Sequence, residues 1–363
     1  MPEPEARPLI QIRGRGAAHN PPNRFVQTDF VPDYEHVDPD DEPAPRTVFM
    51  RDATRSIIAR NDSPDVGFSA SVNPYRGCEH GCIYCFARPT HEYFGLSAGL
   101  DFETKIFVKE DAPELLRQAL ASPRWVPEVI GMSGVTDCYQ PVERKLKLTR
   151  GCLEVLAEFR NPVTLITKNH MVTRDVDILA EMAAWGGASV NVSITTLDEK
   201  LQRVMEPRTS TPKRRLDAVE TLAKAGVRVR VLAAPMIPGL NDHELPAIIR
   251  ASASAGAQAA AYIPLRLPFV LKDLFETWLQ THYPGHREKV LHRIREIRGG
   301  KLNDPNFGSR MHGQGEYADQ LAVLFRAACR KAGLGGEALP PLSTEHFRRP
   351  HDRRGQLGLF EAA

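Results

Sequence analysis

The sequence predicts an α/β fold, namely a partial (β/α)6 barrel with an extended N-terminal arm and a helical C-terminal extension. Two observations lead to this prediction: six short apolar runs recur between residues 67 and 266, and amphipathic stretches lie between them. Strand and helix alternating at this spacing are typical of parallel βαβ units. Six units predict an open or partial barrel, because the closed form of this architecture has eight strands.

The predicted strands are short and rich in Val, Ile and Leu. They are Phe68 to Val72, Val129 to Val135, Val163 to Thr167, Ser189 to Ile194, Val227 to Ala233 and Ala259 to Pro264. Apolar residues at helical spacing predict helices over Glu143 to Phe159, Arg174 to Ala184 and Lys213 to Ala225. In such folds the chemistry takes place at the carboxyl ends of the strands, so polar residues that follow a strand are the candidates for function.

Segments of different character flank the predicted barrel of residues 67–266. Residues 1–66 are rich in proline and show little periodicity, so they are predicted to form an extended arm. The arm is either a disordered leader or a segment that packs on the barrel through Phe25, Phe30 and Tyr34. Residues 267–333 are predicted to be helical, and residues 334–363 to form a flexible tail. The helices expected there are Pro268 to Gln280, Gly285 to Ile297 and Glu316 to Ala332.

Composition narrows the class of protein. The 363 residues carry 47 basic and 45 acidic side chains, a balance that argues against a nucleic-acid surface over the whole chain. No apolar run approaches the roughly 18 residues that span a membrane, and the first residues do not resemble a signal peptide. We therefore expect a cytoplasmic protein without a membrane partner. In that reducing compartment the six cysteines are expected to be metal ligands, reactive thiols or core residues rather than disulfides.

A cysteine motif follows the first predicted strand. Cys78, Cys82 and Cys85 have the spacing C-x3-C-x2-C, and glycines at positions 77 and 81 allow the loop to curl tightly. Three thiolates on one loop can hold three irons of a [4Fe–4S] cluster, which leaves the fourth iron open to a substrate or cofactor.

The alternative for this loop is a structural zinc site. Zinc usually takes four ligands, often as paired C-x2-C units. His80 or His91 could supply a further ligand, but Cys138 and Cys152 do not form such a pair.

Longer segments give a resemblance to a known family. The chain resembles the radical S-adenosylmethionine (radical SAM) superfamily, in its spore photoproduct lyase-like branch, over roughly residues 13 to 330. The matching segments are NPYRGCEHGCIYCFARP, VTDCYQPVERKLKLTR, LITKN, SITTLDEKLQRVMEPR and AAPMIPGLND. Two others, RGRGAAHNPPNRF and RGGKLNDPNFGSRMHGQGEYADQL, resemble an uncharacterised bacterial subgroup of that branch.

The resemblance implies cofactors, a reaction and partners. S-adenosylmethionine would bind the open iron, and one electron from the cluster would cleave it to a 5′-deoxyadenosyl radical that removes a hydrogen atom from the substrate. The enzyme would be lyase-like or transferase-like. It would need a reductant such as flavodoxin or ferredoxin, and the branch implies DNA as a substrate.

The resemblance also implies contacts for S-adenosylmethionine at five positions. Tyr84, within the cysteine loop, is expected near the adenine. Thr136 is expected at the amino group, and Lys168 at the methionine carboxylate. Ser193 is expected near the ribose, and Arg208 at the carboxylate as well. The alternative for each is a polar residue that is solvated at the mouth of the barrel.

Other polar residues after the second predicted barrel strand have two interpretations. Asp137, Gln140 and Glu143 either orient the cofactor or substrate, or cap the helix that begins near Glu143. The resemblance includes a cysteine that donates a hydrogen atom, and the corresponding place here is Gly134. Cys138 lies four residues later, either as a relocated hydrogen donor or as a small strand-end residue.

The end of the chain carries a second short motif. Gln356, Leu357, Leu359 and Phe360 follow a basic stretch and resemble the bacterial motif that binds the sliding clamp. The alternative is that this apolar tip packs on the chain's own barrel.

Three functions fit the sequence. The first is a radical SAM enzyme that acts on nucleic acid, in lesion repair or modification. The second is a radical SAM enzyme that acts on a protein or a small metabolite. The third is a metal-stabilised binding module without catalytic activity.

Overall fold

The computed structural model describes residues 12–26, 45–334 and 339–350, and two sheets organise these residues. Their strands are β1 (Val48–Arg51), β2 (Ile58–Arg60), β3 (Ala70–Val72), β4 (Tyr75–Arg76), β5 (Lys105–Val108), β6 (Ile130–Met132), β7 (Val163–Thr167), β8 (Ala188–Ser193), β9 (Arg228–Met236) and β10 (Ala259–Pro264).

The larger sheet has the order β10-β9-β8-β7-β6-β3-β2. Six neighbouring strands, β3 and β6 to β10, are parallel and follow one another in chain order, and β2 pairs antiparallel with β3 at the edge. All six are the strands that the sequence predicts, within a few residues at their ends. The predicted fold class is confirmed: the sheet is an open α/β sheet, and in the described residues its two edge strands do not pair with each other.

Helices connect the parallel strands and extend beyond them. They are α1 (Leu100–Thr104), α2 (Ala112–Ala121), α3 (Glu143–Leu146), α4 (Leu148–Phe159), α5 (Val176–Ala183), α6 (Glu199–Met205), α7 (Pro212–Lys224), α8 (Leu245–Ser254), α9 (Leu271–His282), α10 (Arg287–Glu296), α11 (Ser309–His312) and α12 (Glu316–Lys331). The helix predicted over Glu143 to Phe159 is two helices, because Lys147 adopts a left-handed conformation (φ 53°) between them.

The smaller sheet was not predicted. Its central strand β5 pairs parallel with β1 and antiparallel with β4, so the sheet joins residues 48–51 of the N-terminal segment to the start of the cysteine loop. These strands have two to four residues each, which is too short for an alternating apolar pattern to be recognised.

Two large hydrophobic clusters, beside two small ones, fill the interior of the described residues. The larger packs the sheet against its helices, and it includes Val190, Val192, Val229 and Val231, whose side chains are fully buried. The smaller packs α9 and α10 against the cysteine loop, where Cys82, Ile83 and Tyr84 contribute to it. The C-terminal helices therefore support the loop that carries the candidate ligands.

The described part of the predicted tail lies on the barrel. Phe347 packs against Phe159 with ring centroids 6.4 Å apart, and the Arg348 amide donates to the Phe159 carbonyl at 2.9 Å. Residues 356–360, with the clamp-like motif, lie outside the described residues, as do Phe30 and Tyr34 of the predicted arm. None of the helices in the described ranges has the length and apolar character to cross a membrane.

Candidate functional site

The cysteine loop lies between β4 and a 3₁₀ helix at Arg88–Phe94, close to the carboxyl end of β3. Cys78 and Cys82 are buried and Cys85 is partly exposed. The Cys85 amide donates to the Cys82 carbonyl at 3.2 Å, and this turn carries the last two thiols of the motif. Burial raises the pKa of both thiols above the ordinary value, so a bound cation would be needed to hold them as thiolates.

Two glycines give the loop its curl. Gly77 and Gly81 adopt φ values of 77° and 66°, in the left-handed region that favours glycine. A Cβ on Gly77 would also lie 2.8 Å from the His91 ring, and one on Gly81 would lie 2.6 Å from a Glu103 carboxylate oxygen. No other residue fits either position without moving the structure beneath the loop.

A buried ion pair supports the loop from below. The Arg88 guanidinium lies 2.5 Å from the Glu103 carboxylate, and neither side chain is exposed. Arg88 also donates to the carbonyls of Gly81 at 3.1 Å and Cys82 at 2.9 Å. These bonds fix the backbone on both sides of Cys82, the second cysteine, and the ion pair offsets the cost of burying the guanidinium.

The N-terminal segment covers the same ion pair. The amides of Gly16 and Ala17 donate to the two Glu103 carboxylate oxygens at 3.0 and 2.9 Å. A Cβ built on Gly16 would lie 1.8 Å from the Gly81 carbonyl oxygen, so the two backbones touch. Residues 15–17 therefore form part of the wall behind the cysteine loop.

Side chains that follow β6 hold the loop from the other side. The Thr136 hydroxyl donates to the Gly77 carbonyl at 2.6 Å. The Gln140 amide group accepts from the Glu79 amide at 2.9 Å and donates to the Gly77 carbonyl at 3.3 Å. Both side chains bind the backbone next to Cys78.

Asp137 and Glu143, two of the polar residues that follow β6, bind different elements of the fold. The N-cap residue of α3 is Val142, whose side chain makes no capping hydrogen bond, and among the three candidate capping residues only Glu143 accepts from a helix start, that of α4. Asp137 accepts from the Thr167 hydroxyl and the Lys168 amide, both at 2.8 Å, and so fixes the end of β7. Glu143 accepts from the Thr149 amide at 3.0 Å in the first turn of α4.

Two charged contacts link the cysteine loop to Arg208, which follows α6, and to Asp137, which follows β6. Arg208 lies 3.1 Å from the Glu79 carboxylate, and its amide donates to the His80 carbonyl at 3.3 Å. The His80 ring lies 3.3 Å from Asp137. Burial disfavours the charged ring, but Asp137 and Cys78 outweigh this effect and raise the pKa of His80 to about 10.

Lys168 and Tyr84 lie together beside the thiols. The Lys168 ammonium is 5.7 Å from the centroid of the Tyr84 ring. The Tyr84 hydroxyl donates to Glu206, which is paired with Arg215 in a fully buried cluster. Burial favours a neutral Glu206, but Arg215 and Lys168 hold the pKa of its carboxyl below the ordinary value.

The structure thus brings four of the five candidate cofactor contacts to the cysteine loop. Thr136 and Arg208 bind its backbone or its Glu79 carboxylate, and Lys168 lies over Tyr84. Ser193 ends β8 and is buried, and its carbonyl accepts from Arg215 at 3.0 Å, which joins it to the Tyr84 cluster only indirectly.

Cys138 is fully buried in the main hydrophobic cluster, not exposed at the mouth of the barrel. Its amide donates to the Ser133 hydroxyl at 2.9 Å, and its carbonyl accepts from Thr149 at 2.6 Å. This surrounding favours the interpretation as a small core residue. At Gly134, by contrast, the atom nearest to an added Cβ would be 3.7 Å away, so that position has room for a side chain.

The arrangement of the metal-ligating side chains bears on the zinc alternative. In the part of the chain that the structure describes, no three His, Cys, Asp or Glu side chains converge closely enough to share one metal ion. A structural zinc site needs four ligands that converge on one ion, whereas a cubane cluster can take one thiolate on each of three irons.

Several charged residues that build the site could not be recognised from the sequence as parts of it. Arg88, Glu103, Glu206 and Arg215 form buried ion pairs whose members are 15 and 9 residues apart. A single charged residue in a motif does not reveal whether its partner is buried. The motif letters CIYCFARP and VMEPR did contain Arg88 and Glu206, but only the fold shows what they contact.

Comparison with protein families gives one match, to the family described as the Radical SAM superfamily, over residues 72–251. The uncharacterised protein Rv2578c of Mycobacterium tuberculosis is 35% identical over 264 residues, which is 72% of this chain and 76% of that protein. The uncharacterised protein MJ0683 of Methanocaldococcus jannaschii is 30% identical over 173 residues, 48% of this chain and 62% of that protein.

Solved structures share the fold. A cysteine-to-serine mutant of spore photoproduct lyase superposes with a TM-score of 0.57 at 17% identity, covering 79% of this chain and 80% of the other. A double mutant of the same enzyme with bound AdoMet and dinucleoside spore photoproduct gives a TM-score of 0.56 at 17% identity, covering 80% of each chain.

The contact between Gly16 and Gly81 gives a direct test of the wall behind the loop. We expect Gly16→Ala to lower the iron and sulfide bound per chain after anaerobic reconstitution, because the new methyl group must displace the cysteine loop. Gly67→Ala is the matched control, since Gly67 has no atom within 4 Å of the added carbon. Equal iron content in the two variants would show that residues 15–17 do not shape the site.

Proposed function

This chain belongs to the radical SAM superfamily and is an enzyme, and from that premise we propose that it cleaves S-adenosylmethionine at a [4Fe–4S] cluster held by Cys78, Cys82 and Cys85 and acts on nucleic acid. Lesion repair or base modification is the proposed reaction. The observation that carries the proposal is the buried loop of three thiols at the carboxyl ends of parallel strands. Family membership argues against the binding module without catalysis.

The bound groups supply the difficult chemistry. When bound, the cluster supplies the electron that splits S-adenosylmethionine into methionine and a 5′-deoxyadenosyl radical. The chain's own residues hold and orient these groups and exclude water. Arg88, Glu103 and Thr136 fix the loop, and the aliphatic cluster around Cys82 and Ile83 keeps water from its inner side.

Lys168 is the best candidate for the methionine carboxylate. Its ammonium lies beside the Tyr84 ring and acts on the pKa values of Cys82 and Cys85, so its charge lies close to the thiols. Arg208 is already paired with Glu79, and the Thr136 hydroxyl already donates a hydrogen bond to the Gly77 carbonyl. Of the two cations, Lys168 and Arg208, only Lys168 has no carboxylate within ion-pair distance in the described residues.

Tyr84 is positioned for the adenine by the Glu206–Arg215 pair. A hydroxyl that donates to a buried carboxylate fixes the plane of its ring, and a fixed ring can pack against a flat base. Ser193 is the last residue of β8, which is separated from β6 by β7 in the sheet. It is proposed to face the ribose.

A nucleic-acid substrate is supported by two features. The fold is that of spore photoproduct lyase, a structure of which holds a dinucleoside photoproduct. The loop that follows β10 lies beside the cysteine loop and carries Arg266 and the exposed Phe269. An arginine can bind a phosphate, and an exposed ring can stack on a base.

Two protein partners are considered, an electron donor and a sliding clamp. Radical SAM enzymes need a reductant, and we propose a flavodoxin or ferredoxin for this role. Binding of a sliding clamp through Gln356, Leu357, Leu359 and Phe360 stays a prediction of the sequence.

Removal of the Lys168 charge should weaken cofactor binding. A lost charge-assisted bond of about 1.5–3 kcal/mol corresponds to a roughly 10- to 150-fold higher Kd for S-adenosylmethionine in Lys168→Ala. Calorimetry on the anaerobic holoprotein measures this value, with Lys331→Ala, an exposed lysine at the end of α12, as the control. An unchanged Kd in Lys168→Ala would remove this residue from the cofactor site.

Deuterium transfer tests the substrate class. When the holoenzyme, dithionite and S-adenosylmethionine are incubated with DNA from ultraviolet-irradiated cells grown in deuterated medium, we expect deuterium in the 5′-deoxyadenosine. The label arises when a C–D bond of the substrate breaks and the deuterium bonds to the 5′ carbon. Mass spectrometry of the nucleoside detects it. Label that comes only from the protein or small-metabolite fraction of the same cells would contradict the proposal.

A further inference from the structure

An exposed aromatic ring borders the cysteine loop. Phe86 directly follows Cys85, and 53% of its surface is exposed. The guanidinium of Arg266, in the loop that follows β10, lies 5.7 Å from the centroid of this ring. A large apolar ring exposed next to a metal ligand has a cost in water, and a partner that covers the ring would remove that cost.

The Arg266 guanidinium lacks a counter-ion at contact distance, although the charge of Asp65, which pairs with Arg310, acts on it from further away. Its Nε is buried and has no hydrogen-bond partner in the described residues, and Nη1 donates at 3.3 Å to the sulfur of Met311, a weak acceptor. No carboxylate in the described ranges forms an ion pair with it. A half-buried guanidinium in this state is a natural site for an anion from outside the chain.

Two further arginines, Arg298 and Arg310, lie near Arg266. Arg298 donates to the carbonyls of Pro264 and Leu265 and so holds the loop that carries Arg266. Arg310 lies 4.3 Å from the centroid of the Phe307 ring, which is 57% exposed, and it pairs with Asp65. The exposed Phe307 ring, like the Phe86 ring, thus lies beneath a guanidinium.

A third ring repeats the arrangement on the same loop as Arg266. Phe269 is 58% exposed and lies 3.7 Å from the Arg24 guanidinium. Its backbone has φ 54°, a conformation that is strained for a bulky residue. The fold therefore maintains an exposed ring at this point against both hydration and backbone strain.

We propose that Phe86, Arg266, Phe269, Phe307 and Arg310 form an arginine–aromatic surface that binds unpaired nucleotides of a nucleic-acid strand. Flat exposed rings match bases, which stack on aromatic side chains in single-stranded recognition, and the guanidiniums match the phosphates. The surface adjoins Cys85, so a nucleotide bound there would lie next to the reactive centre. This inference rests on the proposed nucleic-acid substrate and assigns the surface that binds it.

An unpaired strand fits this surface better than a duplex. In a duplex the base faces are stacked on one another and cannot reach the rings, so a target base must first leave the stack. An acidic protein reductant would match the arginines, but it would give no reason for three separate exposed rings beneath guanidiniums.

Fluorescence anisotropy tests the surface directly. The anaerobic holoprotein with S-adenosylmethionine is titrated into a fluorescein-labelled single-stranded oligonucleotide and into the duplex of the same sequence. We expect tighter binding of the single strand. Each stacked base is worth about 1–3 kcal/mol, so Phe307→Ala and Phe269→Ala should each raise the Kd by roughly 5- to 150-fold. Arg266→Gln should raise the Kd and also flatten its dependence on salt.

Arg60→Gln is the matched control, because Arg60 also covers an aromatic ring, Trp125 at 5.5 Å. Arg60, in β2, pairs with Ala70, the first residue of β3. It therefore lies at the opposite end of the strands from the cysteine loop. Iron content and thermal unfolding of each variant show whether it has folded.

Each outcome is decisive for the surface. If the protein binds DNA and all three folded variants bind it as tightly as the control, the surface is wrong while the nucleic-acid substrate stands. If the protein binds no DNA, the surface is wrong, and the deuterium experiment decides the substrate separately. If Arg266→Gln instead slows reduction by flavodoxin and leaves DNA binding unchanged, the surface belongs to the reductant and the proposal fails.

Discussion

The buried ion pair between Arg88 and Glu103 is the interaction on which the site depends. Its two charges lie beneath the cysteine loop, and their other hydrogen bonds go to the loop, to the amides of residues 16 and 17, and to the carbonyls of Ala98 and Gly99. Loss of one member of such a pair costs about 3–5 kcal/mol, because the other charge stays buried without a partner. The loop, the N-terminal segment and the 3₁₀ helix that starts at Arg88 thus share one support.

The ends of the parallel strands complete this support with neutral and charged bonds. Thr136 and Gln140 bind the Gly77 carbonyl, and Asp137 joins the end of β7 to His80. The inner side of the loop is therefore fixed by the protein. The outer side carries the exposed Phe86 ring.

The sequence was informative where a pattern is local. The strands from β6 to β10 are apolar runs bounded by polar residues, so their positions were predicted, and the cysteine spacing alone located the loop. Contacts between distant residues had no such pattern. Glu206 reaches Tyr84 across 122 residues of sequence, and Phe86 and Arg266 meet only because the fold brings β10 beside the cysteine loop. Cys138 was expected at the mouth of the barrel because it follows a strand, but the turn from residue 133 directs it into the core.

The central claim is that three cysteines hold a cluster with one iron left open for S-adenosylmethionine. Mössbauer spectroscopy of the protein reconstituted with ⁵⁷Fe, with and without the cofactor, tests it most directly. The account predicts about four irons per chain in a cubane cluster, and a change in the signal of one of them when S-adenosylmethionine is added. Iron that is mononuclear, or a cluster whose irons all keep the same signal with the cofactor present, would contradict it.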